Sequence, residues 1–194
     1  MQQDDQFAME DIEMVQLALR EQAFFAHIIS RYEAKLDRYI RRLGIHDEED
    51  RVDVLQEIFI KVYRNLNSFD QSLRFSSWIY RIAHNEAISW YRKRNARPEG
   101  HMVIDSDDVF NFLSTKEESS EVKFDKEINA ENLAQALEKI DEKYRSVIML
   151  RYFEHKDYNE ISDILQIPLG SVGTLLHRGK HALRDVLNPE SVRM

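Results

Sequence analysis

The sequence predicts an all-α protein, built as two small helical domains joined by a flexible acidic linker. Three observations carry that expectation. Apolar residues recur at helical spacing through both halves of the chain, and alternating apolar/polar runs are scarce. Only 5 glycines and 3 prolines interrupt 194 residues, while 43% of residues are apolar, enough to bury a core. Charge is segregated rather than mixed. Residues 1–73 carry 9 basic and 15 acidic groups, 74–97 carry 6 and 1, 98–142 carry 4 and 13, and 143–187 carry 7 and 5. A net charge of −8 therefore hides a basic block, an acidic block and a mildly basic end. For binding a polyanion, where the charge sits matters more than its sum.

In chain order, 11–20 reads as a short helix and 22–43 as a longer one, with Phe25, Ile28, Ile29, Tyr32, Leu36, Tyr39, Ile40 and Leu43 at helical spacing. Gly44 suits its C-cap, and HDEED offers acids and a cap for the next helix. That helix runs from about 50 to 66. Val52, Leu55, Phe59, Val62 and Leu66 form its expected apolar stripe, and Asp53, Gln56, Glu57, Lys61 and Arg64 lie away from it. The stretch 67–73, NSFDQSL, is rich in turn formers. Ser76 or Ser77 is the expected cap of a helix reaching Arg94.

From 96 to 127 the periodicity fades into acidic and polar runs, which reads as the linker, with a short helix near 109–113. Helix returns near Ile128, and Asp141 is a candidate cap for the next one. The expected division is a first domain over 1–95, a linker over 96–127, a second domain over 128–188 and a tail over 189–194.

Near the end, YNEISDIL (158–165), the turn QIPL (166–169) and the helix that follows form a helix-turn-helix pattern. Pro168 stops the first helix, Gly170-Ser171 is the expected N-cap of the second, and the small Ser162 suits a close crossing. Placed on a helical wheel, Val172, Leu176, Leu183 and Leu187 share one face. Thr174, His177, Arg178, Lys180, His181 and Arg184 fall on the other. A recognition helix needs donors on its outer face near its N-terminal end, which suits Thr174, His177 and Arg178. Lys180, His181 and Arg184 are better placed for phosphates. An amphipathic surface helix with solvated charges has a similar pattern; the turn and cap favour DNA. His177 and His181 have metal-ligand spacing, but with no cysteine and no third ligand no metal site is expected.

The helix after Ser77 puts Arg81, Asn85 and Arg92 on one face, with Trp78, Tyr80, Trp90 and Tyr91 nearby. Cationic grooves with stacking rings hold single strands; the same aromatics could equally belong to a core, Trp90 above all.

Together these segments are similar to a known family. DVLQEIFIKVYRNL (53–66) and FSSWIYRIAHNEAISWYRKR (75–94) resemble the second conserved region of bacterial sigma factors of the sigma-70 family. The segment from Ile140 through YNEISDILQIPLGSVGTLLHRGKHALRDVL resembles their fourth region, and the short chain with its acidic linker resembles the extracytoplasmic-function group. The resemblance implies a factor that binds core RNA polymerase and directs promoter recognition, melting and initiation, for a stress or envelope-signal regulon. It implies polymerase contacts at Asp53, Gln56, Glu57, Lys61 and Arg64. It implies capture of the −10 strand by the loop 67–73 (Asn67, Ser68, Phe69, Asp70) and by Arg81, Asn85, Tyr91, Arg92, Lys93 and Arg94, with a base flipped from the stack. Duplex −35 contacts then fall to Ser171, Thr174, His177, Arg178 and Lys180, with His181 and Arg184 beside them. An anti-sigma factor is an implied partner, the expected location is cytoplasmic, and neither a cofactor nor membrane insertion is expected. Gly173 and Leu175 depart from the family's usual Lys and Arg, Val52 from its usual acid and Ser89 from a frequent Asp. A further expectation is that the acidic linker covers the basic faces in the free protein. The rival reading is a two-domain helix-turn-helix regulator that does not bind polymerase. An enzyme is a distant third, since no Gly-rich phosphate loop or nucleophile–base pair is evident.

Overall fold

A computed structural model describes residues 10–94, 112 and 129–188. Its first four helices are α1 (Asp11–Arg20), α2 (Phe25–Arg42), α3 (Glu48–Asn65) and α4 (Phe75–Arg94). Helix α2 buries Phe25, Ile28, Tyr32, Leu36, Tyr39 and Ile40 on one face, as its spacing requires. It ends where Gly44 takes φ 107°, a conformation open to glycine at little cost. Gly44 N–H then donates to the Arg41 carbonyl at 3.0 Å and Ile45 N–H to that of Ile40 at 3.2 Å, so two orphan carbonyls are satisfied. Asp47 caps α3 by accepting from Asp50 N–H at 3.1 Å, and three acids in its first turn complement the helix dipole.

Two local expectations change. The buried stripe of α3 is Val54, Leu55, Ile58, Phe59 and Val62, whereas Val52 is 46% exposed. Helix α4 starts at Phe75, so Ser76 and Ser77 lie inside its first turn rather than before it. Ser77 is buried, and Ser76 turns outward to donate to Glu160 at 3.3 Å.

The second group is α5 (Ala130–Lys139), α6 (Glu142–Ile148), a π-helical turn (Met149–Phe153), α7 (Tyr158–Leu165) and α8 (Leu169–Leu187). Asn129 caps α5 through Asn132 N–H at 2.8 Å. A reciprocal capping box of Asp157 and Glu160 opens α7. Gln166 closes α7 in the left-handed region (φ 54°), and Pro168 stands at the N-cap of α8. Gly170 and Ser171 are therefore in the first turn of α8 and do not cap it. Ser162 does more than save space: its hydroxyl donates to the Ile167 carbonyl at 2.6 Å and fastens the turn. The linker expectations at 96–127 lie outside the described residues except for Phe112, which is buried against Tyr152 and Phe153. Among the described residues there is no strand. The two groups meet where α7 packs along α4.

Candidate nucleic-acid and polymerase interfaces

Three surfaces emerge from these helices. The first is on α3. Asp53, Gln56, Glu57, Lys61 and Arg64 are all exposed on its outer side, and Lys61 pairs with Glu86 of α4. Beside them runs a groove between α2 and α3 of about 1050 Å³, lined by Phe25, Ile29, Val52, Phe59, Ile60 and Tyr63 among others. Val52, Ile60 and Tyr63 are 40–46% exposed. An apolar groove rimmed by charge is built to take the apolar face of a helix. Sequence reasoning assigned Val52 to the core and passed over Ile60 and Tyr63. The available signal was the width of the apolar arc: α3 carries more apolar positions than a single buried stripe can use.

The second surface joins the loop 67–73 to α4. Asn67, Ser68 and Asp70 are exposed. Ser68 Oγ donates to the Asn65 carbonyl at 2.7 Å, and the Asp70 carboxylate accepts from Ser72 N–H at 2.9 Å. Hydrogen bonds from Ser72 hold the Asp70 carboxyl below the usual carboxylate range. Phe69 is different: it is buried, with its ring 5.3 Å from Phe75 and 5.2 Å from Trp78. Phe69 is thus the anchor of the loop and not a contact surface, a correction with a physical cause: an aromatic in a polar loop finds the nearest ring cluster. Trp78 belongs to that same cluster. On α4 itself Asn85, Arg92 and Lys93 are exposed, and Arg81 and Tyr91 are half-buried. The side chain of Arg94 lies outside the described residues.

Behind this face, His84 is buried with Nδ1 2.9 Å from the Tyr39 hydroxyl. Burial brings it down to about 4, so it packs as a neutral ring.

The third surface is α8. Thr174, His177 and Arg178 are exposed together near its start, while Ser171, His181 and Arg184 are half-buried. The His177 and His181 rings lie 4.5 Å apart, and Arg184 pairs with Asp185 at 3.0 Å. Lys180 leaves the set. It is 6% exposed, with Nζ 4.8 Å from the centre of the Tyr152 ring. Because α8 is packed by both α5 and α6, its buried arc is wider than a one-sided helix has, and Lys180 falls inside it. Among the described residues no group of three or more His, Asp or Glu is arranged to hold a metal ion.

Sequence reasoning missed a fourth feature, the contacts across the two helix groups. Arg42 Nη1 donates to Glu154 at 2.6 Å and to the Phe153 carbonyl at 3.1 Å, and the Tyr80 hydroxyl donates to Glu154 at 2.8 Å. Both members of the Arg42–Glu154 pair are more than nine-tenths buried. Around this centre Arg74 pairs with Asp157 at 2.8 Å, Arg92 pairs with Glu142 at 2.7 Å, and Arg145 lies over the Tyr91 ring. A hydrogen bond from Glu160 N–H, with help from Arg74, holds the Asp157 carboxyl low. Burial pushes Glu154 up against the lowering pull of Arg42 and Tyr80, so the buried pair fixes geometry more than it stabilises. Such pairings between residues 50 to 112 positions apart leave no periodic trace in one sequence.

Residues 28–97 match the family model described as Sigma-70 region 2, and residues 130–183 match Sigma-70, region 4. The chain is 34% identical over 174 residues to the ECF RNA polymerase sigma factor SigW of Bacillus subtilis (strain 168), spanning 86% of this chain and 90% of that one. In fold it is similar to CnrH, solved in complex with the cytosolic domain of CnrY (TM-score 0.67, 22% identity, 93% of this chain and 98% of that one). It is similar too to the sigma factor RpoE of Bartonella quintana, solved with the anti-sigma factor NepR (TM-score 0.60, 17% identity, 84% and 96%). Two region models in the right order, and a relative matched nearly end to end, agree with the arrangement of α3, α4 and α8: the chain belongs to the extracytoplasmic-function group of RNA polymerase sigma factors.

Proposed function

We propose that this chain binds core RNA polymerase through α3 and its apolar groove, captures the −10 strand on α4 and the loop before it, and reads the −35 duplex with α8. The division of labour is 1–95 for polymerase and the −10 element, 96–127 as tether, and 128–188 for the −35 element. The observation that carries the reading is the exposed groove of Val52, Ile60 and Tyr63 flanked by Asp53, Gln56, Glu57, Lys61 and Arg64. A DNA-binding regulator that ignores polymerase has no use for an unpaired apolar groove on the helix beside its strand-binding face.

On α4, Arg81, Asn85, Tyr91, Arg92 and Lys93 supply cations and a stacking ring, and Asn67, Ser68 and Asp70 supply the polar pocket for a flipped base. On α8, Thr174, His177 and Arg178 face the groove and His181 and Arg184 face the backbone. Ser171 lies in the first turn of α8, where its hydroxyl can meet a phosphate while its N–H is held by the Pro168 carbonyl. We propose with it transcription of a stress or envelope-signal regulon, a cytoplasmic location and restraint by an anti-sigma factor; the RpoE–NepR complex supports the last.

Co-elution with core polymerase on gel filtration tests the polymerase arm. Ile60→Glu alters a 40% exposed side chain, so the fold should hold while binding weakens by roughly ten- to a hundredfold, the worth of one buried aliphatic group. Undiminished co-elution of a folded Ile60→Glu chain would move the interface elsewhere.

A further inference from the structure

We infer that His177 and His181 on α8 form an exchangeable chelate for one divalent transition ion of the copper–nickel class, with water completing its coordination. The site rests on its own geometry; its coupling to DNA rests on the reading of α8 as the −35 helix.

Of the seven histidines, only these two stand one helical turn apart in sequence. The i,i+4 spacing puts both side chains on one face of a helix. Both lie inside the Leu169–Leu187 helix, whose opposite face is held by buried Val172, Leu176 and Leu183. The backbone between them is therefore fixed before any ion arrives. His177 is exposed and His181 half-buried. Neither side chain has a hydrogen-bond or ion-pair partner among the described residues, and the ring contact of each is with the other. Their ring nitrogens are free to coordinate.

The distance between the rings selects the ion. An imidazole bound at ~2.0–2.1 Å has its ring centre ~3.1 Å from the metal. Two such rings have centres ~4.4 Å apart when they meet the ion at a right angle, and ~5.1 Å apart at the tetrahedral angle. The centres here are 4.5 Å apart. That spacing suits neighbouring positions on a square-planar or tetragonal ion, the geometry of Cu²⁺ and Ni²⁺, better than tetrahedral zinc. The surrounding charge narrows the class further. Arg178 is exposed beside His177, and Arg184 is paired with Asp185 at 3.0 Å. Fixed positive charge works against a hard cation such as Mg²⁺, which also seeks oxygen ligands, and leaves the ions that imidazole binds strongly. The sequence suggested no metal site because a closed structural zinc centre takes four protein ligands. An open chelate does not, since water takes the remaining positions.

On the reading of α8 as the −35 helix, this ion lies where the duplex docks. It sets two positive charges and open coordination positions against the phosphates. Sequence-independent binding is electrostatic, so it should tighten.

The experiment uses the full chain without a polyhistidine tag. Electron spin echo modulation of bound Cu²⁺ counts the coordinated imidazoles, and calorimetry with NiCl₂ gives stoichiometry and affinity. The parent should bind one ion through two imidazoles. His177→Gln and His181→Gln should each leave one imidazole and weaken Ni²⁺ binding roughly tenfold or more, no less than loss of an outer-shell partner costs. His177 is exposed, so His177→Gln keeps the fold even where a change at half-buried His181 does not. A single imidazole in the parent, or unchanged Ni²⁺ affinity in folded His177→Gln, would overturn the site. Displacement of Ni²⁺ by an equal concentration of MgCl₂ would overturn the ion class. Saturating Ni²⁺ should also tighten binding of the parent to a fluorescein-labelled pool of random duplexes by roughly threefold or more, and leave the affinity of His177→Gln unmoved. Two-imidazole binding without that change would overturn the coupling to DNA and leave the site standing.

Discussion

One buried ring, His84, ties folding to pH. His84 is packed neutral with its ring nitrogen on Tyr39, and its folded value of about 4 lies below the ~6.5 of an unfolded histidine. The stability linked to it is thus fully present above about pH 6.5 and is lost as pH falls toward 4, because the unfolded chain takes the proton first. Between pH 7 and 5 the loss should be about 2 kcal/mol. His84→Gln keeps a hydrogen-bonding group and cannot titrate, so the difference in unfolding free energy between variant and parent should shrink by that amount over the same interval. A constant difference would show that His84 is not the group responsible. On α8, Arg178 is exposed along with Thr174 and His177. Arg178→Ala should cost about 1–3 kcal/mol on promoters that depend on a −35 element and leave others nearly unchanged, as read from transcript yield across a promoter set. Lys180 shows the limit of wheel reasoning. Its position is outward relative to Val172 but inward relative to Tyr152, and a single sequence does not say how many neighbours a helix has.

Among elements, α8 carries a paired test in its two interior glycines. A Cβ at Gly173 would meet the Tyr158 ring at 3.6 Å, ordinary contact, so Gly173→Ala should raise stability by up to about 1 kcal/mol. A Cβ at Gly179 would meet Ile148 Cδ1 at 3.0 Å and Tyr144 Cβ at 3.2 Å, so Gly179→Ala should lower it by about 1 kcal/mol despite the better helix propensity. Thermal unfolding of both variants checks the opposite signs. The absence of a side chain at Gly173 also leaves the family's usual basic contact unfilled without any packing reason for it. Helix positions were largely legible, because α2, α3, α7 and α8 write their buried faces as repeats of three and four. Caps were less so: Gly44 and Asp47 act where glycine and acid point to a cap, yet Ser77 and Ser171 sit inside helices, since a serine near a boundary fits either side of it. On α3 the count of apolar residues was visible but its division between core and groove was not. Val52 and Val54 look alike in sequence and differ only in what faces them.

For the molecule as a whole, fold class, helix-turn-helix and basic block were all present in residue order, whereas the packing of α7 on α4 was not. Glu154 reads as one more solvated acid until Arg42 and Tyr80 are placed against it. Segregated charge also meets across the two groups, where Glu142 and Asp157 pair with Arg92 and Arg74. The central claim, that this chain confers promoter specificity on core polymerase, is tested most directly by run-off transcription from a random promoter library with purified core polymerase. Addition of the chain should yield transcripts enriched for one −35/−10 pair at fixed spacing. The same background transcripts with and without the chain would contradict it.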